Sequence, residues 1–200
     1  MTHVPEEGMP EASQNLLLQM TARSNVAPKR LVAPGPTEAQ LKLLFMAAAQ
    51  APDHGRIQPW RFINVPENKR AELGHAFVQA LTHRDPHAGQ EHIDSAYEKA
   101  FRAPCLMLAV LSALPSEPQV PTTERLISLG CAIQNMLLMA QTLELGSGIT
   151  SGQAMNAPSL RDLFALPVHE EGICFVNFGT VAAHKPARPR TPTPTFVTSL

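Results

Sequence analysis

Residues 37–51 show the clearest helical pattern in the chain. Thr37 and Gln40 form a capping box, in which each side chain accepts from the other residue's backbone N–H. Pro52 marks the end of the segment, because a proline does not continue a helix. The apolar side chains that recur at three- and four-residue spacing, and so predict one buried face, are Leu41, Leu44, Phe45 and Ala48.

Residues 124–145 predict the longest helix. Its main apolar stripe consists of Leu129, Ile133, Met136, Leu137 and Ala140. Cys131, Leu138 and Met139 lie outside this stripe and make the segment apolar on nearly every side. A helix of this kind is either central in the core or shared with a partner subunit.

The remaining segments predict shorter elements. Residues 105–112 are nearly all apolar, which is typical of a strand buried on both faces. Two further strands are predicted at 61–65 and 173–178, a loop at 23–36, and a small-residue turn at 146–152. Helices are predicted at 13–22, 66–83, 88–100 and from about 158 onwards. Since helices and strands do not alternate strictly, an α+β domain fits this order better than a doubly wound sheet.

Proline-rich segments mark the boundaries of the domain. Residues 1–12 are polar, which predicts a flexible N-terminal lead. We expect residues 13–183 to form a single domain. Residues 184–200 form an arm of Pro, Thr, Lys and Arg that ends in the apolar pair Phe196 and Val197. The apolar end favours an arm that lies across another surface.

Composition and charge exclude several classes of protein. The 200 residues carry a net charge of −1, with 16 basic and 17 acidic side chains, so no net field attracts nucleic acid or an anionic membrane. Hydrophobic residues make up 44%, enough for a substantial core. No apolar run reaches the roughly 20 residues that span a bilayer. The N-terminus does not resemble a secretory signal, so we expect a cytoplasmic protein.

Cysteine and histidine spacing does not indicate a metal site. The three cysteines contain no CxxC pair, which argues against a structural zinc site or a disulfide framework. Each lies in an apolar run, where a buried thiol is expected. His83 and His87 are separated by Pro86 and therefore do not share a helical face, so we expect no metal.

Residues 53–60 contain the densest cluster of functional side chains. His54, Arg56 and Gln58 can donate hydrogen bonds to an anion or a planar heterocycle, and Trp60 offers an apolar wall. The alternative is a surface turn whose Trp60 is anchored in the core. The residues alone leave both interpretations open.

Other candidate residues are basic. Arg23 and Ser24 suit a phosphate or a ring carbonyl, and basic residues of the arm such as Lys185 and Arg188 could hold a phosphate. Each could equally be a solvated surface charge.

Two common enzyme motifs are not found. Gly146 and Gly148 do not form a dinucleotide fingerprint, and no serine lies in a nucleophile elbow.

Taken together, these motifs resemble the nitroreductase superfamily of flavin enzymes, most closely its small, single-domain bacterial branch. The resemblance extends from about residue 16 to the C-terminus. The matching segments are Ala-Arg-Ser at 22–24, Ala-Pro-Asp-His-Gly-Arg-Ile-Gln-Pro-Trp at 51–60, Phe-Arg-Ala-Pro at 101–104, Gly-Cys-Ala at 130–132, Ser-Gly at 151–152, Phe-Gly-Thr at 178–180 and the ending Pro-Thr-Pro-Thr-Phe-Val-Thr.

The resemblance implies a fold and an assembly. It implies an α+β sandwich in which a central, mostly antiparallel sheet is flanked by helices. It also implies a homodimer that binds FMN at the subunit interface and exchanges its C-terminal arm between subunits. The long helix would pack against its dimer mate.

The resemblance further assigns roles to individual residues. Arg23 and Ser24 would hold the phosphate and pyrimidine side of the flavin, with Ala22 contributing by position. His54 and Gln58 would reach the flavin from the neighbouring subunit. The segment formed by Thr150, Ser151 and Gly152 would lie beside the flavin, and Lys185 or Arg188 would be the phosphate cation. Ala22 replaces an arginine that members of this branch commonly carry, which leaves the choice between NADPH and NADH open.

On this resemblance we expect an FMN-dependent oxidoreductase without a catalytic acid or base that can be named from the sequence. Hydride would pass from NAD(P)H through flavin N5 to a small electron-poor acceptor, nitroaromatic or quinone-like, by a ping-pong mechanism. One alternative is a dimeric binding or scaffold module whose flavin site has eroded. Another is a reductase of the same superfamily that acts on a substrate without a nitro group.

Overall fold

The computed structural model describes residues 8–113, 116–183 and 196–200. The α-helices are α1 (Glu11–Ala22), α2 (Glu38–Ala48), α3 (Arg70–Arg84), α4 (Gln90–Glu98), α5 (Thr122–Thr142) and α6 (Pro158–Leu163). The strands are β1 (Leu31–Val32), β2 (Trp60–Asn64), β3 (Cys105–Ser112), β4 (Gly146–Thr150) and β5 (Glu170–Val181). Short 3₁₀ turns lie at Pro28–Arg30, His54–Arg56, Glu67–Lys69, Lys99–Phe101 and Gln153–Asn156.

The sheet is antiparallel throughout. Strands β4, β5, β3 and β2 lie side by side in that order, and β1 pairs with the last residues of β5. Every residue of β3 is buried, as its continuous apolar sequence predicts. The α+β fold with a central antiparallel sheet is therefore confirmed.

Helices cover both faces of the sheet, and the alternation of side chains along β3 separates the two cores. Met107 and Ala109 belong to the cluster that includes α2 and α5, whereas Leu106 and Leu108 belong to the cluster that includes α3 and α6. This separation follows from the two-residue period of a strand. The predicted stripe of α5 is buried at all five positions: Leu129, Ile133, Met136, Leu137 and Ala140.

The capping box that the sequence predicts in front of α2 is present. The backbone N–H of Gln40 donates to Oγ1 of Thr37 at 3.2 Å, and the backbone N–H of Thr37 donates to Oε1 of Gln40 at 2.9 Å. The two bonds satisfy donors that the first helical turn would otherwise leave unpaired.

The segment predicted as a small-residue turn is mostly a strand. Residues Gly146–Thr150 form β4, which pairs with β5, and only Ser151 and Gly152 remain a loop. A Cβ added at Gly148 would lie 2.2 Å from the backbone oxygen of Val26. The small residues therefore serve a close approach between two chain segments rather than a reversal of direction. The predicted loop at 23–36 likewise contains a 3₁₀ turn and β1.

Helix α5 is the longest, with 21 residues. In the described parts of the chain, no helix is both long enough and apolar enough to cross a membrane.

Candidate functional site

Hydrogen bonds hold the segment after α1 against β4. The backbone N–H of Val26 donates to the oxygen of Ser147 at 2.8 Å, and that of Ile149 donates to Oδ1 of Asn25 at 2.8 Å. Val26 thus contacts Ser147 and Asn25 contacts Ile149, so the segment runs antiparallel to β4. The arrangement holds Asn25, the residue that follows Ser24, against the strand that ends at Thr150.

Asn177 stabilises the end of β4 from below. Its side-chain N–H group donates to the backbone oxygen of Gly148 and to Oγ1 of Thr150, both at 3.1 Å, and the residue is only 1% exposed. The sequence analysis did not select Asn177. Its position in the sequence could have indicated a role, because Asn177 is an amide side chain within an otherwise apolar predicted strand. A polar side chain that is buried there requires hydrogen-bond partners.

The loop that carries His54 and Gln58 is shaped by its own backbone. Oδ2 of Asp53 accepts from the backbone N–H of Gln58 at 2.7 Å. Gly55, Arg56 and Gln58 have φ angles of 72°, 55° and 45°, in the left-handed region that a tight turn requires. The side chains of His54 and Gln58 remain exposed.

Two contacts tie this loop to α5. Nδ1 of His54 lies 2.5 Å from Oε2 of Glu124 in the first turn of the helix. Nε1–H of Trp60 donates to Oγ of Ser128 at 3.0 Å in the core. The sequence left open whether this loop offers exposed donors or is a surface turn with Trp60 anchored in the core. The structure shows both features: Trp60 is anchored in the core, and the side chains of His54 and Gln58 are exposed.

The structure separates the candidate residues of one chain into two groups. Thr150 lies opposite Phe175 on β5, which lies opposite Leu108 on β3, which lies opposite Ile63 on β2. Three strand spacings of about 4.8 Å make this separation about 14 Å. His54 and Gln58 lie in the loop that precedes β2, the strand three positions away from β4. Lys185 and Arg188 lie outside the described residues.

A cavity of about 380 Å³ lies beside Thr150, Ser151 and Gly152. Its apolar walls include Phe77, Leu81, Leu106 and Phe175, and Phe77 and Phe175 meet edge to face with ring centroids 5.7 Å apart. Three cations also line it: Arg84, Lys99 and Arg102. Partial burial and the charges of Arg102 and Arg84 lower the pKa of Lys99.

The two buried thiols, Cys105 and Cys174, have raised pKa values and are therefore poor nucleophiles. Burial raises the pKa of Cys105 and of Cys174 to about 11, although the charge of Arg70 opposes the shift at Cys105. A thiol with so high a pKa provides little thiolate at neutral pH. Among the residues that the structure describes, no three metal-ligating side chains gather into a site.

Comparisons with known proteins identify the family of this chain. The model of the Nitroreductase family matches residues 30–180. A protein of Haemophilus influenzae named "Putative NAD(P)H nitroreductase" is 33% identical over 165 residues, which is 82% of this chain and 87% of that relative.

Solved structures show the same fold. A nitroreductase-like family protein from Bacillus cereus superposes with a TM-score of 0.77 at 17% identity, over 92% of this chain and 95% of that one. A nitroreductase with bound FMN from Bacteroides fragilis superposes with a TM-score of 0.68 at 19% identity, over 92% and 98% of the two chains.

The antiparallel sheet between two helical layers defines a nitroreductase-like α+β fold. With the family match over residues 30–180, the chain belongs to the nitroreductase family. The family resemblance and the oxidoreductase class that it implies are thereby confirmed.

Proposed function

We propose that this protein is an FMN-dependent NAD(P)H oxidoreductase that reduces small electron-poor acceptors, nitroaromatic or quinone-like, in successive half-reactions. Family membership, the name of the Haemophilus influenzae relative and the FMN bound in the Bacteroides fragilis structure support the proposal. The two hydrogen bonds between residues 25–26 and β4 carry it, because they hold the residue that follows Ser24 against the strand that ends at Thr150, where two groups of candidate ligands would meet.

The residues in this region fit the chemistry of FMN. The cofactor needs a cation for its phosphate, a few hydrogen-bond donors for its ring, and apolar surface. Arg23 supplies a guanidinium, Ser24 and Ser151 supply hydroxyl groups, and Gly152 leaves open space where a side chain would stand. Lys185 and Arg188 are proposed as further phosphate ligands within an arm, residues 184–200, that crosses to the partner subunit.

A homodimer would complete the site. His54 and Gln58 precede β2, which lies three strand positions from β4, so we propose that they serve the site of the other subunit.

Exposed apolar side chains indicate the surface for this dimer. They lie on three helices of the same layer: Leu16, Leu18 and Met20 on α1, Phe45 and Met46 on α2, and Leu126 and Ile127 on α5. Helix α1 has no buried residue in the single chain. A second copy that covers this layer would bury side chains that are costly to leave in water.

The chain's own residues would bind and orient the reactants. Bound FMN supplies the redox chemistry, since a flavin accepts two electrons and a proton from a reduced nicotinamide and delivers them to an acceptor. Arg23 would neutralise the phosphate, and donors from Ser24, Thr150 and Ser151 would orient the ring. Asn177 would keep Thr150 in place through its 3.1 Å hydrogen bond.

The visible absorption spectrum of the purified protein tests the proposal. We expect flavin bands that bleach when NADPH or NADH is added without oxygen and return when a nitroaromatic or quinone is added. Comparing the two nucleotides would resolve the preference that Ala22 leaves open. A colourless protein that takes up no added FMN would overturn the proposal in favour of a dimeric binding module. A flavoprotein that bleaches but reduces neither acceptor would indicate a superfamily reductase for another substrate.

A further inference from the structure

Three cations and, within the described parts of the chain, no carboxylate line the cavity beside Thr150, Ser151 and Gly152. Arg84 lies at the end of α3, and Lys99 and Arg102 follow α4. Arg102 donates to the backbone oxygen and the hydroxyl of Ser95. None of the three forms an ion pair with a carboxylate within the described ranges of the chain.

Such an arrangement favours an anionic ligand. Arg84 and Lys99 are exposed and Arg102 is half-buried, so all three can be reached from solvent. Like charges that share a partly desolvated site repel one another, and the lowered pKa of Lys99 reflects both effects. An anion placed among the three cations would relieve the repulsion and would gain charge-assisted hydrogen bonds.

The interior of the same cavity is apolar. Phe77, Phe175, Leu106 and Met155 line it together with the cations. The volume of about 380 Å³ lies at the lower end of the range for small-molecule pockets. A ligand that fits therefore combines an aromatic or aliphatic body with one anionic group.

We propose that this cavity binds a small organic acid of the aryl carboxylate class, whose anionic group lies among Arg84, Lys99 and Arg102 and whose apolar body packs on Phe77 and Phe175. The opposite end of the ligand lies at Thr150, Ser151 and Gly152. The proposal that this acid binds depends only on the residues that line the cavity. Its role as the electron acceptor rests on the proposed function, because it requires the flavin to lie beside the same loop.

Two nitroaromatic probes of nearly equal size separate charge from shape. 4-Nitrobenzoate carries a carboxylate where 4-nitrobenzamide carries a neutral amide. Isothermal titration of the protein as purified should give about tenfold or more tighter binding of the benzoate, the effect expected of charge-assisted contacts. Equal affinity for the two probes would overturn the proposal.

A double variant then tests the named cations. Arg84→Gln combined with Lys99→Gln removes two side chains that make no ion pair in the described structure, so the fold should persist. We expect the Kd of 4-nitrobenzoate to rise about tenfold and that of 4-nitrobenzamide to stay within about twofold. Lys69→Gln, which removes a surface cation paired with Glu72 at 2.6 Å, is the matched control and should change neither.

Two other results would show that the cations serve a different anion. If the double variant loses bound FMN, as measured by absorbance, the cations hold the cofactor phosphate and the proposal is wrong. If it raises the KM for NADPH alone and leaves 4-nitrobenzoate binding unchanged, they hold the nucleotide phosphate and the proposal is again wrong. A protein that never binds FMN but prefers 4-nitrobenzoate through these cations would refute the proposed function and support the acid site.

Discussion

The backbone N–H of Ile149 donates to Oδ1 of Asn25 across 124 positions of the sequence, at 2.8 Å. In the neighbouring hydrogen bond the donor comes from the other segment: the backbone N–H of Val26 donates to the oxygen of Ser147. Through this pair the segment after α1 is held against the sheet edge at β4. The position of the residues that follow Arg23 and Ser24 therefore depends on two hydrogen bonds to β4.

Gly148→Ala should separate these two segments. The added Cβ would lie 2.2 Å from the backbone oxygen of Val26, so one segment must move. We expect a loss of about 1–3 kcal/mol in the free energy of unfolding, the usual cost of overpacking, with weaker retention of FMN. Gly89→Ala, where an added Cβ meets nothing within 4 Å, is the control. Denaturant unfolding of both variants measures the difference, and equal stability would contradict the close approach.

Arg23→Ala should weaken FMN binding by about 1.5–3 kcal/mol, the value of a charge-assisted hydrogen bond. The physical reason is that the phosphate of FMN loses a guanidinium donor. Fluorescence titration of flavin-free protein with FMN measures the change. Lys69→Ala removes another cation outside the site and should leave the affinity unchanged; a similar loss in both variants would assign the effect to net charge alone.

Ile127→Asp should weaken the proposed homodimer. Ile127 is 63% exposed on α5 within one chain, and a carboxylate there would be desolvated once a second copy covers the helix. We expect the dimer dissociation constant, from analytical ultracentrifugation, to rise at least about tenfold. Val168→Asp is the matched control, since Val168 is 94% exposed and belongs to the loop between α6 and β5 rather than to α1, α2 or α5. A dimer indifferent to Ile127→Asp would use another surface.

Arg125→Met should destabilise the fold itself. Arg125 is 2% exposed and donates to the backbone oxygens of Val120, Ser112 and Glu117, so it joins the end of β3 to the start of α5. Removing a charged donor from several carbonyls should cost about 3 kcal/mol or more.

The control for Arg125→Met is Arg61→Met. Arg61 binds both carboxylate oxygens of Glu170, at 2.9 and 2.6 Å, but its side chain is half-exposed. Such a pair contributes about 1 kcal/mol or less. Urea unfolding of the two variants should therefore differ clearly, and equal losses would contradict a clamp by Arg125.

The buried thiols should make the protein less stable at alkaline pH. The pKa of Cys105 and Cys174 is raised from 9.0 to about 11 by burial, so between these pH values the unfolded chain releases protons that the folded chain keeps. Stability from this source is complete below pH 9 and falls as pH rises towards 11.

Urea unfolding at several pH values measures this effect. The double variant Cys105→Ala with Cys174→Ala should be less stable at pH 8 because it loses packing, but its free energy of unfolding should fall less between pH 9 and pH 11. Identical pH dependence in the two proteins would show that the thiols are not the cause.

Several elements followed from local pattern alone. The apolar run 105–112 predicted a doubly buried strand, and β3 has those bounds. Thr37 and Gln40 predicted the start of α2, since a capping box involves only residues three positions apart. The buried stripe of α5 likewise follows from helical periodicity.

Strand β4 shows where local pattern was insufficient. Gly146, Ser147 and Gly148 have little intrinsic preference for a strand, and they predicted a turn. They form a strand because β5 offers an open edge on one side and residues 25–26 press against the other. No property of the segment itself contains this information.

The candidate site divides in the same way. The sequence by itself determined the family motifs, the core strand and the capped and striped helices, because short-range spacing and side-chain chemistry are sufficient for each. Only the tertiary structure decided that Asn25 and Val26 lie against β4, that Asn177 supports Thr150, and that β2, which follows the loop of His54 and Gln58, lies three strand positions from β4. The physical reason is that contacts between distant segments depend on strand order and close backbone approach, which no local spacing encodes.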